Sequence, residues 1–253
     1  MSPSDARALR RWNAGLAVLH AGQGAAILAL SDDTTLPVSL SVLSGPPGSA
    51  VTGGGEPVWD LPLGVFVAIF LLLAALDHAA VALPRVHAWY ERNLGRGTNP
   101  ARWWEYSLSA SLMVVLIAML AGVSEASALI ALFGVNAAMI LFGLAQEQRN
   151  PPGRAQVDWR PFVYGSLVGA VPWIAIGLQL ARTEAESEVP GFVYGIFFSL
   201  LVLFFSFALN MALHYARVGA WRRIPVAERG YLVLSLTAKS LLAWQVFSAT
   251  LAG

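Results

Sequence analysis

Near its C-terminus the chain carries the segment Tyr231-Leu-Val-Leu-Ser-Leu-Thr-Ala-Lys239-Ser-Leu-Leu-Ala-Trp-Gln-Val-Phe-Ser-Ala-Thr-Leu251. It is mostly apolar and about 20 residues long, which is the length that a helix needs to cross a bilayer. Lys239 lies at its centre and is the only lysine in the chain, because the other basic residues are arginines. Burying an ammonium at a helix centre costs roughly 2.5 to 3.5 kcal/mol on insertion scales. A covalent Schiff base to an aldehyde is one way to compensate that cost, and it requires a lysine and not an arginine.

The composition is that of a membrane protein built from helices. Hydrophobic residues make up 57% and charged residues 12% of the 253 residues, without a long polar segment. This balance is typical of a polytopic helical membrane protein, and we predict one domain over residues 1–253. The sequence contains no cysteine, so it excludes disulfides and thiolate metal sites and carries no signal of the redox compartment.

Hydropathy predicts an all-α membrane protein with seven transmembrane helices, at about residues 6–30, 60–83, 99–122, 125–145, 159–182, 191–217 and 229–251. The first apolar run follows Arg7, Arg10 and Arg11, which is also a feature of secretory signal peptides. The run is long for such a peptide and contains His20 and Gln23. We therefore interpret it as the first helix of the bundle.

Residues 31–60 predict a long external loop between the first two helices. They are rich in Ser, Thr, Gly and Pro and contain no basic residue. Within them, Leu36-Pro-Val-Ser-Leu-Ser-Val42 largely alternates apolar and small polar residues, and turn-forming segments follow at Gly45-Pro-Pro-Gly48 and Gly53-Gly-Gly55. This pattern favours a short strand or β-hairpin, and an irregular ordered loop is the alternative.

The arginines alternate with the predicted helices and indicate an orientation. Fourteen of the fifteen fall on one side: Arg7, Arg10, Arg11, Arg85, Arg92, Arg96, Arg102, Arg149, Arg154, Arg160, Arg217, Arg222, Arg223 and Arg229. The other side receives Arg182 and eight acidic residues: Asp32, Asp33, Glu56, Asp60, Glu125, Glu184, Glu186 and Glu188. By the positive-inside rule we predict a multi-pass protein of the cell membrane with a cytoplasmic N-terminus and an extracellular C-terminus.

Lys239 has a predicted partner at the same depth. The helix rise of about 1.5 Å per residue places the Lys239 Cα about 15 Å inside the cytoplasmic surface and Glu105 about 10 Å inside it. Because helical side chains lean toward the helix N-terminus, the Lys239 nitrogen lies roughly 6 Å shallower than its Cα. We therefore expect Glu105 to balance the buried ammonium. The alternative is that Glu105 reaches the membrane surface or stabilises the start of its helix.

Other polar residues within the predicted helices extend this cluster. His78 on the second helix lies at a similar depth, next to Asp77, and His20 lies on the first helix. Each histidine could equally make only a helix-packing hydrogen bond. Ser235 lies one turn before Lys239, on the same helix face, where its hydroxyl can bond to the nitrogen.

The helices around Lys239 also carry large apolar and aromatic side chains. Such side chains are more often packing or lipid-facing than ligand-binding when each is taken alone. Together with a lysine in the middle of the seventh helix they indicate a pocket for retinal. The candidates from the third to the sixth helix are Tyr106, Ser109, Met113, Asn136, Met139, Trp173, Phe204 and Phe205.

Four segments carry a resemblance to a known family. They are Arg102-Trp-Trp-Glu105-Tyr-Ser107, Ser235-Leu-Thr-Ala-Lys239-Ser-Leu-Leu-Ala-Trp-Gln-Val-Phe247, Leu76-Asp-His78, and His20 with Gln23. With the inverted topology, they resemble the heliorhodopsins, microbial retinal proteins of rhodopsin-like fold. The resemblance implies all-trans retinal bound to Lys239, Glu105 as sole carboxylate counterion, and a polar cavity involving His20 and His78. It also implies a homodimer with the first external loop at its interface, and a slow photocycle without established ion pumping.

The residues beyond Glu105 also favour a sensor over a pump. On the third helix they are Ser109, Leu112, Leu116 and Met119 at successive turns, and no acid follows before Glu125. Proton relays are built from intramembrane Asp, Glu and His, which here cluster on one side of Lys239. We therefore predict a photoreceptor that signals to a cytoplasmic partner, is not an enzyme and binds no nucleic acid. A light-driven pump or light-gated channel is the alternative, and a lysine that is only a structural charge is a third reading.

Overall fold

The computed structural model describes residues 2–49, 51–52 and 57–250 of the chain. It is mostly helical. The helices are α1 (Pro3–Leu30), α2 (Leu63–Ala82), α3 (Pro84–Gly95), α4 (Pro100–Leu120), α5 (Ala126–Arg149), α6 (Arg160–Glu186), α7 (Gly191–Tyr215) and α8 (Ile224–Thr250), with a short 3-10 helix at Gly219–Arg222. The strands are β1 (Thr35–Ser39), β2 (Val42–Leu43), β3 (Val51–Thr52) and β4 (Pro57–Pro62).

Each predicted transmembrane helix corresponds to one α-helix, but two predictions at the second helix were wrong. The second helix begins at Leu63, because residues 57–62 form β4. A further helix, α3, occupies part of the predicted loop between the second and third helices, so the described residues contain eight α-helices. The predicted second helix ends at residue 83, directly before Pro84, although proline also suits the first turn of a new helix. The buried face of α3 is formed by His87, Tyr90 and Leu94.

Six helices in the described part of the chain are long and apolar enough to cross a membrane: α1, α2, α4, α5, α6 and α7. The helix that carries Lys239, α8, has 27 residues but is not among the six. It also contains Glu228, Arg229 and Gln245, which lower its mean hydropathy. A seventh membrane span therefore remains a prediction.

The loop between α1 and α2 contains the β structure that its alternating residues predict. Strand β1 pairs antiparallel with β4, and β2 pairs antiparallel with β3. The predicted strand at residues 36–42 corresponds to β1 followed by β2, with a break at residues 40–41. The predicted turn at Gly53-Gly-Gly55 lies outside the described residues.

The β structure of the α1–α2 loop is hydrogen-bonded to the turn between α4 and α5. The Ser39 amide donates to the Ser124 carbonyl over 2.9 Å, and the two serine hydroxyls are 3.0 Å apart. The Glu125 carboxylate accepts from the Ser41 amide at 3.2 Å and from its hydroxyl at 2.9 Å. These bonds lower the pKa of Glu125. Gly122 turns the chain at a φ of 102°, a conformation that glycine adopts without steric strain.

The bundle has two distinct ends. The sheet end carries β1–β4, the α4–α5 turn and the α6–α7 connection. The arginine-rich end carries the start of α1, helix α3, the α5–α6 connection and the α7–α8 connection, and it is joined by bonds such as Arg10 Nε to the Ala82 carbonyl at 2.9 Å. The largest cluster of buried apolar residues includes Val38 of β1 and Leu63 at the start of α2, so it extends to the sheet end.

Helices α4 and α5 approach each other closely at one glycine. A Cβ atom on Gly143 of α5 would overlap the ring of Trp103 on α4, which is rigid and buried. Gly134 lies on the same helix with open space around it. The absence of a side chain at Gly143 therefore sets the distance between the two helices.

We expect Gly143→Ala to lower the thermal unfolding midpoint of the purified protein, and Gly134→Ala to leave it unchanged or raise it. Overpacking costs about 1–3 kcal/mol, whereas alanine is favoured over glycine by roughly 0.5–1 kcal/mol in a helix interior. The two variants make the same chemical change in one helix. Equal midpoints for both would contradict the close approach of Trp103 to Gly143.

Candidate functional site

Lys239 is buried on the inner face of α8 beside a single carboxylate. Its side chain is 3% exposed, and its Nζ lies 3.3 Å from Oε1 and 3.4 Å from Oε2 of Glu105 on α4. The same nitrogen donates to the Ser235 hydroxyl at 2.9 Å and lies 4.8 Å from the centre of the Tyr106 ring. The structure thus brings together the lysine and the glutamate that their depths predict to meet, with Ser235 one turn away.

A cavity of about 160 Å³ opens beside the Lys239 nitrogen, between α4, α5, α6, α7 and α8. Its wall is almost entirely apolar. Eight of the sequence-predicted site residues line it: Tyr106, Met113, Met139, Trp173, Phe204, Phe205, Ser235 and Lys239. The other five, which do not, are Glu105, His20, His78, Ser109 and Asn136.

Aromatic rings pack edge to face around the cavity. The Trp173 ring lies 5.2 Å from that of Phe204, and the Tyr106 ring lies 5.5 Å from that of Phe207. Such arrangements stabilise the ring positions beyond the burial of their area. They help to hold the side chains of the cavity wall in place.

Much of the rest of the wall was missed from the sequence. It includes Ala110, Ile140, Phe142, Gly143, Phe162, Gly165, Gly169, Met211 and Ala238. A Cβ on Gly165 would lie 2.9 Å from Cβ of Phe142, and one on Gly169 would lie 2.8 Å from Cγ of Met139. These glycines allow α6 to pack closely against α5 at the cavity wall. Their spacing of one helix turn on α6 was the available signal.

His20 and His78 form a separate pair between α1 and α2. Their rings stack at 5.7 Å, and both side chains are buried. Nδ1 of His78 is bonded to Oδ1 of Asn13 at 2.8 Å, whereas neither nitrogen of His20 has a hydrogen-bond partner among the described residues. Among the residues that the structure describes, no hydrogen bond joins either histidine to Lys239 or Glu105. Asn13 was missed, although Leu9, Asn13, Leu16 and His20 follow one helix face.

Ser109 and Asn136 are buried in the bundle but away from the cavity wall. Asn136 of α5 donates through Nδ2 to the Ser111 hydroxyl of α4 at 3.0 Å. The Ser109 hydroxyl has no hydrogen-bond partner among the described residues. These contacts are those of helix packing, and a role for the two residues at the cavity stays a prediction.

Arg102, which lies within the predicted third helix and was counted among the arginines of one side of the membrane, is buried inside the bundle. Its side chain is 5% exposed and lies between two carboxylates, Glu147 of α5 and Glu228 of α8, with which it forms salt bridges through NH2 and NH1. Asn99 caps α4 and Pro100 occupies its first turn, so that Arg102 lies inside the helix, three residues before Glu105. The predicted start of the third helix at about residue 99 agrees with this cap and proline. The carboxylate partners Glu147 and Glu228 were missed from the sequence.

Two tyrosines connect the Arg102 cluster to the cavity. The Arg102 guanidinium lies 3.9 Å from the centre of the Tyr231 ring. The Tyr106 hydroxyl donates to the Tyr231 carbonyl at 3.0 Å, and the Tyr106 ring faces the Lys239 nitrogen. One layer of aromatic side chains therefore separates the two buried cations.

The chemistry available at the cavity follows from these groups. A primary amine at the wall of an apolar cavity can bind an apolar aldehyde covalently, which an arginine cannot do. The carboxylate beside it favours a positive charge on that nitrogen. The site is therefore built for an apolar ligand that carries one charge at its point of attachment.

Several rhodopsins of known structure share the fold of this chain. A light-driven proton pump from Leptosphaeria maculans has 18% sequence identity and a TM-score of 0.69, over 100% of this chain and 98% of that chain. Halorhodopsin, a light-driven chloride pump, has 13% identity and a TM-score of 0.68, over 94% of this chain and 93% of that chain. Cyanorhodopsin from Tolypothrix sp. NIES-4075 has 15% identity and a TM-score of 0.62, over 98% and 95% of the two chains. At these identities the likeness shows the fold alone.

The sequence itself identifies the family. No curated protein sequence matches the chain. A family model described as heliorhodopsin, however, matches residues 9–251, which is nearly the whole length. The protein belongs to the heliorhodopsin family.

Proposed function

We propose that the protein is a light-sensing photoreceptor that binds all-trans retinal as a protonated Schiff base on Lys239, with Glu105 as the counterion. Membership in a rhodopsin family implies a retinal chromophore. The observation that carries the proposal is that the chain's only lysine ends at the wall of an apolar cavity, 3.3 Å from one carboxylate. Retinal is an elongated apolar aldehyde, so both its body and its reactive end match the site.

The residues around Lys239 stabilise the charge on its nitrogen and hold the ligand in position. When bound, retinal supplies the absorption of light and a change of shape on illumination. Glu105 stabilises a proton on the Lys239 nitrogen, and the Ser235 hydroxyl fixes the direction of that nitrogen. The rings of Trp173 and Phe204 confine the ligand from the side of α6 and α7. A change at the ligand alters the balance between Lys239 and Glu105 first.

The distribution of buried charge supports signalling over ion pumping. Five charged side chains are buried among the described residues, and all lie at the Lys239 level or toward the arginine-rich end: Arg102, Glu105, Glu147, Glu228 and Lys239. Toward the sheet end the described interior is the apolar cluster, with uncharged amides and hydroxyls such as Asn136. A proton relay across the membrane needs ionisable groups on both sides of the nitrogen.

The proposal includes an orientation and partners. The arginine-rich end faces the cytoplasm under the positive-inside rule, so the N-terminus lies inside and the C-terminus outside the cell membrane. The basic connections there contact anionic lipid headgroups and an unidentified signalling partner. The sheet end lies outside and takes part in a homodimer, as the family resemblance implies.

Replacing Lys239 with Ala is expected to abolish the visible absorption band when all-trans retinal is supplied to the purified protein. No other lysine is present to form the linkage. The exposed Thr237 lies two residues away on α8, and Thr237→Ala should retain the band. A visible band in Lys239→Ala that equals that of the control would contradict binding at Lys239.

Replacing Glu105 with Gln is expected to shift the visible band and to move its alkaline loss to lower pH. The carboxylate stabilises the protonated nitrogen, and the neutral amide does so less. Spectra recorded across an alkaline titration measure both effects. Glu91→Gln on α3, a partly exposed carboxylate, is the control and should titrate as wild type does. An unchanged titration in Glu105→Gln would exclude Glu105 as the counterion.

The second candidate function is light-driven ion transport, because two of the similar structures are those of a proton pump and a chloride pump. We expect illumination of intact cells or vesicles that contain the protein to give no persistent change in external pH and no steady current. The apolar half of the bundle toward the sheet end is the reason. A persistent pH change that an uncoupler abolishes would show a proton pump instead.

A further inference from the structure

The Arg102 cluster contains more acidic groups than basic ones. The Arg102 guanidinium bridges the carboxylates of Glu147 and Glu228, and the side chains of all three are nearly inaccessible to solvent. In the described part of the chain no second lysine, arginine or histidine forms a salt bridge with either carboxylate. With both carboxylates ionised, the cluster would carry one net negative charge.

The other groups that face the two carboxylates do not balance this charge. Asn99 donates its amide to Glu147 Oε2 at 2.7 Å and its Nδ2 to Glu228 Oε2 at 2.9 Å. The titratable neighbours are tyrosines, which are neutral at neutral pH. Tyr90 of α3 bonds to Glu228 at 3.4 Å, Tyr231 of α8 stacks on Arg102, and Tyr215 of α7 lies within electrostatic range of Glu147.

Burial makes an unbalanced charge unfavourable. Protonation of one of the two carboxylates removes the net negative charge of the cluster. An ion without a partner in a protein interior is destabilised far more than a neutral acid of the same shape. One proton on the pair leaves one carboxylate for one guanidinium. The Tyr90 hydroxyl can accept a hydrogen bond from a protonated Glu228, because a phenol is both donor and acceptor. We propose that Glu147 and Glu228 share one proton, so that this cluster stores a proton at the arginine-rich end of the bundle.

The cluster lies close enough to Lys239 and Glu105 for a change of charge at that pair to affect the stored proton. Arg102 lies one helix turn from Glu105 on α4, and Tyr231 lies between the cluster and the cavity. A change of charge at Lys239 and Glu105 therefore acts on Arg102 through a short, water-poor path, where electrostatic interactions are strong. Loss of the proton would take place at the end that carries the basic connections. The storage of the proton itself does not depend on retinal or on light.

The test is the infrared band of protonated carboxyl groups in the purified protein in the dark, identified by its shift in D₂O. A shared proton makes a specific prediction for the variants Glu147→Gln and Glu228→Gln. After either substitution the remaining carboxylate balances Arg102 alone, so each single variant should lose the intensity of one protonated carboxyl. Glu91→Gln, at a partly exposed carboxylate paired with His87, is the control and should lose none.

Three results would overturn the proposal. Loss in only one variant would assign the proton to that residue alone, loss in neither would show that both carboxylates are ionised, and equal loss in the control would remove the assignment to the cluster.

Thermal unfolding gives a second measurement that does not need the infrared band. The double variant Glu147→Gln/Glu228→Gln leaves Arg102 without an anion, and its midpoint should fall by more than the sum of the two single shifts. Additive shifts would contradict one-to-one balance.

Discussion

The structure depends on the burial of one ammonium group beside one carboxylate. Lys239 and Glu105 lie on different helices, and each would be strongly destabilised without the other. This pairing restricts how far α4 and α8 can slide or rotate against each other. It also leaves the amine at the edge of a cavity, where glycines of α5 and α6 allow close packing of the helices.

A second buried cation repeats the same solution nearer to the arginine-rich end. Arg102 joins α4 to α5 through Glu147 and to α8 through Glu228, while Asn99 binds both carboxylates. The two cations are separated by the rings of Tyr106 and Tyr231. Helix α4 contributes one charged residue to each level, Arg102 to the cluster with Glu147 and Glu228 and Glu105 to the pair with Lys239. It is therefore the helix through which a change at one level reaches the other.

Some contacts of the site could be predicted from the sequence and others could not, for physical reasons. The depths of Lys239 and Glu105 follow from a constant helix rise, so that their meeting could be predicted from helix starts alone. The partners of Arg102 lie 45 and 126 residues away, and no local pattern records them. Pro84 fits both a helix end and a helix start, which is why α3 was missed. Gly143, Gly165 and Gly169 line the cavity and pack against Trp103, Phe142 and Met139 of neighbouring helices, contacts that the local sequence does not record.

The attachment of the sheet to the α4–α5 turn has a mechanical consequence. Helix α4 is held at one end by the bonds of Ser39 and Ser41 to Ser124 and Glu125, and at the other by the salt bridges of Arg102. Its 21 residues form a rod about 31 Å long between these two clamps. Bonds near both ends of α4 oppose sliding of the helix along its axis. Because α4 is bonded to other elements near both ends, a displacement of β1 is passed through the α4–α5 turn to the helix that carries Glu105.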